Sequence, residues 1–228
     1  MTQPTPLDYA AWSQSRLGRV TEQLEFQSVL RAVGEMSGKD VLDIGCGDGR
    51  YAIALARRGA RVVGLDPSGP ALEMARGRAR DAGVNVSLAE GDARSIPFDS
   101  ETFDIVTAVT VLCFVKSPAK VFGEVERVLR PGGLLVAGEL SRWSTWAAWR
   151  RLKGWSGSQT WASATFWTPA RMRALARSGG LVAASVEGSV YYPPVGWAAS
   201  LVAPLDPWMG RLTTLGGAFL VLRARKPS

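Results

Sequence analysis

The sequence contains no histidine and only two cysteines among its 228 residues. Without histidine no imidazole can act as a base, and a zinc centre is disfavoured, so we expect no bound metal. The cysteine spacing fits neither a metal site nor a disulfide framework, which predicts a reducing, cytoplasmic compartment. No apolar run reaches the length of a membrane-spanning helix, and the N-terminus lacks the basic and apolar regions of a secretory signal.

Glycine is concentrated at residues 41–50, where a short apolar run gives way to glycines at 45, 47 and 49. An amphipathic pattern follows at once, which predicts a strand, a tight turn and a helix N-terminus. Open α/β sheets bind nucleotide-like ligands at such a turn. The dinucleotide pattern G-x-G-x-x-G is absent because residue 50 is Arg, and no G-x-x-x-x-G-K-[ST] loop occurs.

Acidic residues stand at the tips of three successive predicted strands. Asp43 precedes the first glycine, where a carboxylate repels a pyrophosphate but suits an ammonium group, directly or through water. Asp66 ends the second strand, 21 residues after Gly45, at the distance where an acid hydrogen-bonds a ribose diol. Asp92 follows the third strand, residues 84–90. Helix-cap and turn roles are the alternatives for Asp66 and Asp92.

Two further strands complete the pattern. Residues 103–109 form the fourth, and a helical period over residues 119–130 leads to Pro131-Gly132-Gly133, which we expect to stop that helix. Residues 134–139 form the fifth strand.

These motifs resemble a known enzyme family. The pattern Asp43-x-Gly-x-Gly-x-Gly resembles motif I of the class I S-adenosylmethionine-dependent methyltransferases, and residues 126–133 resemble the type 11 small-molecule group. The likeness covers residues 7–140 closely. It implies a Rossmann-like α/β fold: a seven-stranded, mostly parallel sheet whose last strand is antiparallel, with helices on both faces.

The resemblance also implies a cofactor, S-adenosylmethionine, and the residues that bind it. In the family, the acid matching Asp92 accepts a hydrogen bond from the adenine amine, and the amide matching Ala93 meets a ring nitrogen. The expected cofactor-binding residues are Asp43, Gly45, Gly47, Asp66, Pro67, Asp92, Ala93 and Thr110.

We expect one domain over residues 1–228, with an N-terminal helical cap at 1–36 and insertions at 141–167 and 191–211. In the cap, Tyr9 and Trp12 are candidates for a lid over the substrate, and packing on the core is the alternative. The insertion at 191–211 is rich in proline, with a short helix expected near Trp208. The last strand is expected at residues 213–223.

The missing histidine bears on the identity of the methyl acceptor. Because the sequence does not name this acceptor, the catalytic residues stay undetermined. A thiol or sulfide needs little help from a base, because thiol pKa values near 8.5 leave some thiolate at neutral pH. The segment around Cys113 is also similar to that of thiol S-methyltransferases. We therefore expect a small thiol or sulfide acceptor, with Cys113 as a candidate substrate residue and a buried apolar role as its alternative. A lipid or quinone methyltransferase and a non-catalytic cofactor-binding module remain open.

No acid occurs between Glu139 and Glu187, whereas seven basic residues and six of the nine tryptophans do. Trp143, Trp146, Trp149 and Leu152 recur at a spacing that predicts one side of a short helix. Three interpretations stand open: core packing, an acceptor or lipid surface that includes Trp146, and stacking on unpaired bases. No nucleic-acid module is recognisable, so we expect a small-molecule acceptor, no nucleic acid, and peripheral membrane contact through 141–167 as an option.

Overall fold

The computed structural model describes residues 14–228, apart from the side chains of Gln159 and Thr160. The helices are α1 (Arg16–Val33), α2 (Arg50–Ala56), α3 (Gly69–Asp81), α4 (Pro118–Val128), α5 (Thr145–Trp155), α6 (Gln159–Ser163), α7 (Pro169–Ser178), α8 (Gly196–Val202), a 3₁₀ turn (Ala203–Leu205) and α9 (Asp206–Leu212). The strands are β1 (Asp40–Ile44), β2 (Arg61–Asp66), β3 (Val86–Glu90), β4 (Phe103–Val109), β5 (Leu129–Leu140), β6 (Val182–Ser189) and β7 (Phe219–Arg225).

The seven strands form one sheet in the order β3-β2-β1-β4-β5-β7-β6. Neighbours from β3 to β5 are parallel, and β7 runs antiparallel to both β5 and β6. The predicted seven-stranded α/β sheet with an antiparallel last strand is confirmed. The strand order reverses between β1 and β4, and the crevice beyond the carboxyl ends of these strands is where open α/β sheets bind ligands.

Alternate side chains of the central strands enter two cores, one on each face of the sheet. On one face Leu42 and Ile44 pack with residues of α4 and α7. On the other face Val41 packs with residues of α1, α2 and α8. Helices therefore cover both faces, as the continuous apolar runs of buried parallel strands require.

The helices begin where the sequence supplies a hydroxyl cap. Ser15, Ser68, Ser144 and Thr168 each accept a hydrogen bond from the backbone N–H three residues ahead, at the starts of α1, α3, α5 and α7. The cap at Thr168, with proline at the next position, was predictable from the sequence alone.

Several expected boundaries are wrong. The helix α4 ends at Val128, two residues before the predicted end, because Leu129 already pairs with Phe103 and begins β5. The proline and glycines at 131–133 therefore lie within the strand segment and do not stop the helix. The strand β3 begins at Val86, and β7 begins at Phe219, later than the alternation of apolar residues suggests.

Within residues 14–228, no helix combines the length and the apolar character needed to cross a bilayer.

Candidate functional site

The glycine-rich turn joins β1 to α2 at the point where the strand order reverses. Gly45, Gly47 and Gly49 all have positive φ, at 64°, 53° and 82°, a region that side chains rarely adopt. A Cβ on Gly45 would lie 2.3 Å from Cγ2 of Val111 in the loop after β4. A Cβ on Gly47 would meet nothing within 4 Å. Gly45 therefore permits close packing of two loops, and Gly47 presents bare backbone to open space.

Asp43 lies beneath this turn and is only 2% exposed. Its Oδ1 accepts a hydrogen bond of 2.7 Å from the Thr107 hydroxyl on β4. Burial raises the pKa of Asp43 to about 7, while the bond from Thr107 and the nearby amide of Ala52 lower it. Its Oδ2 is buried, and no donor in residues 14–228 makes a hydrogen bond to it. An unpaired buried carboxylate oxygen is a suitable acceptor for an ammonium group.

Asp66 stands at the end of β2 and is likewise 2% exposed. Its carboxylate accepts from the Gly47 amide and from the Ser68 amide, each at 2.9 Å. It therefore fixes the glycine turn to the second strand. Each carboxylate oxygen keeps another lone pair, which leaves Asp66 able to accept from a diol. The adjoining Pro67 is exposed.

Asp92 lies beyond β3, and its carboxylate binds the guanidinium of Arg94 through both oxygens. That pairing lowers the pKa of Asp92, so the group is ionised at neutral pH. The side chain of Asp92 is 39% exposed, whereas its neighbour Ala93 is buried. Asp92 and Ala93 stand on the same edge of the sheet as Asp66, because β2 and β3 are parallel with Asp66 opposite Glu90.

The loop after β4 is fixed by a residue that sequence reasoning did not select. Glu139 on β5 is fully buried and accepts hydrogen bonds from the backbone amides of Val111, Leu112 and Cys113 at 3.1, 2.7 and 3.2 Å. Burial raises the pKa of Glu139 to about 8 against these bonds. Its only sequence signal is a carboxylate inside an apolar strand.

Thr110 begins that loop with a φ of 53°, which is unusual for a β-branched residue. Its amide donates to the Gly138 carbonyl at 2.7 Å, and its hydroxyl donates to the Val109 carbonyl at 2.7 Å. Strain of this kind persists only where surrounding contacts impose it, and it is frequent at ligand sites.

Cys113 does not face an open site. It is 1% exposed within the core on the α4 side of the sheet, and burial raises the pKa of its thiol well above the ordinary value. The buried apolar alternative therefore fits Cys113, and the substrate role suggested for it does not.

Charged residues of α1 and α5, which the sequence did not single out, approach each other near Arg50, the first residue after the glycine turn. Glu25 on α1 is partly buried, and desolvation raises its pKa to about 7 while Arg150 and Arg50 lower it. Arg50 follows the glycine turn and pairs with Glu22 at 2.7 Å. Arg150 on α5 is buried, with its guanidinium 5.1 Å from the ring centre of Trp146. Glu25 therefore lies within electrostatic range of Arg50, beside the cofactor turn, and of Arg150, in the insertion after β5.

Residues 141–167 do not form one exposed aromatic face. Trp146 is 1% exposed and its indole N–H donates to the Tyr192 carbonyl at 2.9 Å, so it belongs to the core and neither to a lid nor to a lipid surface. Trp143 precedes the helix instead of lying on it. Most basic residues of this segment stack on its own rings, as with Lys153 at 4.4 Å from the ring centre of Trp149. Tyr9 and Trp12, the proposed lid residues, lie outside the described residues.

The residues at the turn fit S-adenosylmethionine. The orphaned Asp43 oxygen suits the ammonium of its amino-acid tail, and the open space above Gly47 accommodates a ligand against the backbone. Asp66 stands where a ribose is bound in such folds.

Comparisons with known proteins agree. A methyltransferase-domain family model matches residues 42–137. A ubiquinone biosynthesis O-methyltransferase from Methylobacterium sp. is 35% identical over 171 residues, which are 72% of this chain and 69% of that protein. A demethylmenaquinone methyltransferase from Clavibacter sepedonicus is 41% identical over 121 residues, 53% of this chain and 49% of that protein.

The chain spans about half the length of most of the curated relatives that it matches. Among solved structures, an S-adenosylmethionine-dependent methyltransferase from Thermotoga maritima superposes with a TM-score of 0.73 over 97% of this chain and 96% of that one, at 24% identity. This likeness concerns the fold. With the relatives and the turn geometry taken together, the chain belongs to the class I S-adenosylmethionine-dependent methyltransferases.

Proposed function

We propose that this protein transfers the methyl group of S-adenosylmethionine to a hydroxyl of a small aromatic acceptor of the quinol type, with Glu25 as the general base. The observation that carries the choice of acceptor is the placement of Glu25, a partly buried carboxyl on α1 that lies within electrostatic range of Arg50, beside the cofactor turn, and of Arg150 on α5. The relative named as a ubiquinone biosynthesis O-methyltransferase supports transfer to a hydroxyl, and the relative named as a demethylmenaquinone methyltransferase supports a quinone-type ring.

The cofactor supplies a methyl group already activated on a sulfonium, so the protein has to orient the acceptor and exclude water. We assign the amino-acid tail of the cofactor to Asp43, the ribose to Asp66, and the adenine to Asp92 and Ala93. Gly45, Gly47, Pro67 and Thr110 shape the surrounding backbone. These assignments rest on the positions of three acids, Asp43, Asp66 and Asp92, and of the Ala93 amide at or just beyond the carboxyl ends of β1, β2 and β3.

A phenol has a pKa near 10 and must lose its proton as it attacks the methyl group. A base with a pKa near neutral is well matched to that task. In a protein without histidine, Glu25 fills this role because burial raises its pKa to about 7 and Arg150 stabilises its ionised form.

A thiol or sulfide acceptor is the competing assignment, since such acceptors need little base catalysis. Its main support was the absence of histidine, and the carboxyl of Glu25 weakens that reason. Its other support is the similarity of the segment around Cys113 to thiol S-methyltransferases, and Cys113 itself lies in the core.

The test is a screen for release of S-adenosylhomocysteine over ortho-diphenols and hydroquinones, small thiols with sulfide, and amines at equal concentration. We expect turnover on phenols. Faster turnover on a thiol would overturn the acceptor, and cofactor binding without turnover on any acceptor would favour a non-catalytic module.

The role of Glu25 is tested with Glu25→Gln. We expect kcat on the phenol to fall about 100-fold or more, because a positioned base contributes about 10² to 10⁴ in rate. The rise of kcat with pH through about 7, where Glu25 ionises, should disappear. Glu73→Gln, which changes an exposed carboxyl on α3, is the matched control. It should retain both the kcat on the phenol and the rise of kcat with pH. A pH profile left intact in Glu25→Gln would exclude Glu25 as the base.

A further inference from the structure

An exposed apolar stripe runs along the segment between β6 and β7. Its members, each 56–73% exposed, are Trp197, Leu201, Leu205, Trp208, Leu212 and Leu215. They recur every three or four residues, the period of one face of a helix. Exposed tryptophan and leucine in a continuous row on a folded domain signal a surface that contacts something else.

From Trp197 to Leu212 the stripe is the outer face of a helical segment whose inner face is made of small or polar residues, and Leu215 follows in the loop after α9. The backbone is right-handed helical through α8, the 3₁₀ turn and α9, since the capping residues Val202, Ala203, Leu205 and Asp206 all have αR geometry. Ala198 and Ala199 on the inner side are buried, as is Gly210. The large apolar side chains therefore point away from the core.

The inner face is tied down, so the stripe cannot rotate inward. Asp206 is buried and accepts from the Ser189 hydroxyl at 2.6 Å and from the Tyr191 amide at 3.0 Å. A Cβ on Gly210 would lie 2.3 Å from the Gly188 carbonyl oxygen. The helix approaches β6 too closely there to admit a larger residue.

The exposed charge in the segment that carries the stripe is positive. Residues 188–218 contain one basic residue, Arg211, and one acid, the buried Asp206, and the exposed Glu187 lies just before them. Arg211 is exposed on α9 itself. At the far end, the Gly216 amide donates to the Trp143 carbonyl at 3.1 Å, which places the exposed Trp143 and its neighbour Arg142 beside the loop that carries Leu215.

We propose that this stripe docks the protein on the surface of an anionic phospholipid bilayer. An amphipathic helix with tryptophan and leucine on one face and arginine beside it lies in the bilayer interface, held by apolar burial and by attraction to anionic headgroups. The proposal does not depend on the identity of the methyl acceptor. It relocates the membrane contact from residues 141–167 to residues 197–215.

A second copy of the chain is a less suitable occupant. In a symmetric dimer the same patch meets itself, so the exposed arginines of both copies would be brought together in one interface. Like charges opposed across an interface disfavour association, whereas an anionic bilayer complements them.

The test is co-sedimentation of the full chain with vesicles of phosphatidylcholine, with and without about 30% phosphatidylglycerol, in the absence of any acceptor. We expect binding that is stronger with phosphatidylglycerol. The double variant Trp197→Gln with Trp208→Gln should bind at least about tenfold less, because interfacial binding scales with buried apolar area. Arg211→Glu should weaken binding to the anionic vesicles only.

Trp155→Gln is the matched control, since Trp155 is 84% exposed in the segment 141–167 and outside the stripe. It should bind like the unmodified chain. Equal binding of the double variant and the unmodified chain would overturn the proposal, as would a loss in Trp155→Gln as large as in the double variant. The proposal would also be overturned if the unmodified chain bound no vesicles but formed a dimer in sedimentation velocity, and if the double variant were monomeric. Methyl transfer to a water-soluble phenol, measured in parallel, separates a failure here from a failure of the proposed function.

Discussion

Replacing Asp43 with asparagine should stabilise the fold and weaken cofactor binding at once. The carboxyl is buried, and its pKa rises from an ordinary 3.8 to about 7. Its ionised form is therefore disfavoured in the folded protein. The group does not lower the free energy of unfolding below its unfolded pKa, and it lowers that free energy most above about pH 7. Asparagine keeps a carbonyl oxygen for the bond from Thr107 and carries no charge at any pH.

The size of the stability change follows from the pKa difference. A shift of one unit corresponds to about 1.4 kcal/mol, so ionising Asp43 costs at most about 4 kcal/mol of unfolding free energy at pH 8. Urea unfolding of the cofactor-free protein should show little difference between Asp43→Asn and the unmodified chain near pH 4, and a growing advantage for the variant from pH 4 to pH 7. An advantage that does not grow with pH would refute the assigned burial cost.

Cofactor affinity should move the other way. If the ammonium of the cofactor requires an ionised Asp43, the dissociation constant should rise roughly 20-fold between pH 7.5 and 5.5, since a group with a pKa near 7 is mostly protonated at the lower pH. Calorimetry over this range leaves the α-ammonium of the cofactor mostly protonated, because α-amino groups have pKa values of about 7.7–8.0. Asp43→Asn should bind more weakly at pH 7.5 and show no such pH dependence. Affinity that is unchanged in the variant would remove Asp43 from the cofactor site.

Two further predictions concern the turn. Asp66→Ala should raise the dissociation constant of the cofactor about 100-fold or more, because charge-assisted hydrogen bonds are worth about 1.5–3 kcal/mol each; calorimetric affinity that does not change would contradict the assignment of the ribose. Gly45→Ala should lower the midpoint of thermal unfolding more than Gly47→Ala, since only at Gly45 does the new Cβ collide with Val111. Gly47→Ala should instead weaken cofactor binding more, relative to its loss of stability. Equal thermal midpoints for the two alanine variants would argue against the loop contact.

The arrangement of strands at the site was predictable because each acid follows a short apolar run. Parallel strands place such acids on one edge of the sheet, so the chain positions of Asp43, Asp66 and Asp92 already implied a common crevice. The partners that set the chemistry of these acids were not predictable in the same way. Thr107, which binds Asp43, comes from a strand 64 residues later, and nothing local in the sequence links the two.

The same limit explains why Glu25 and Glu139 were missed. Each is one carboxylate in an ordinary helical or apolar pattern, and its raised pKa arises from burial by distant segments. Glu139 organises a loop 26 to 28 residues earlier in the chain. Periodicity identifies the element that carries such a residue, but burial depends on what packs over that element.

The two tryptophan-bearing segments show how composition misleads when packing is unknown. Residues 141–167 have the stronger compositional signal, with six tryptophans and no acid, yet Trp146 and Trp167 are buried and arginine side chains stack on both rings. In the segment 197–215 the apolar period alone would predict a helix packed on the core. The deciding feature is the opposite face, where Ala199 enters the core and Asp206 and Gly210 permit close contact with β6, which leaves the large side chains outside. An apolar stripe on a helix is an interaction surface when the residues on the opposite face of that helix pack against the core and the apolar side chains of the stripe stay exposed.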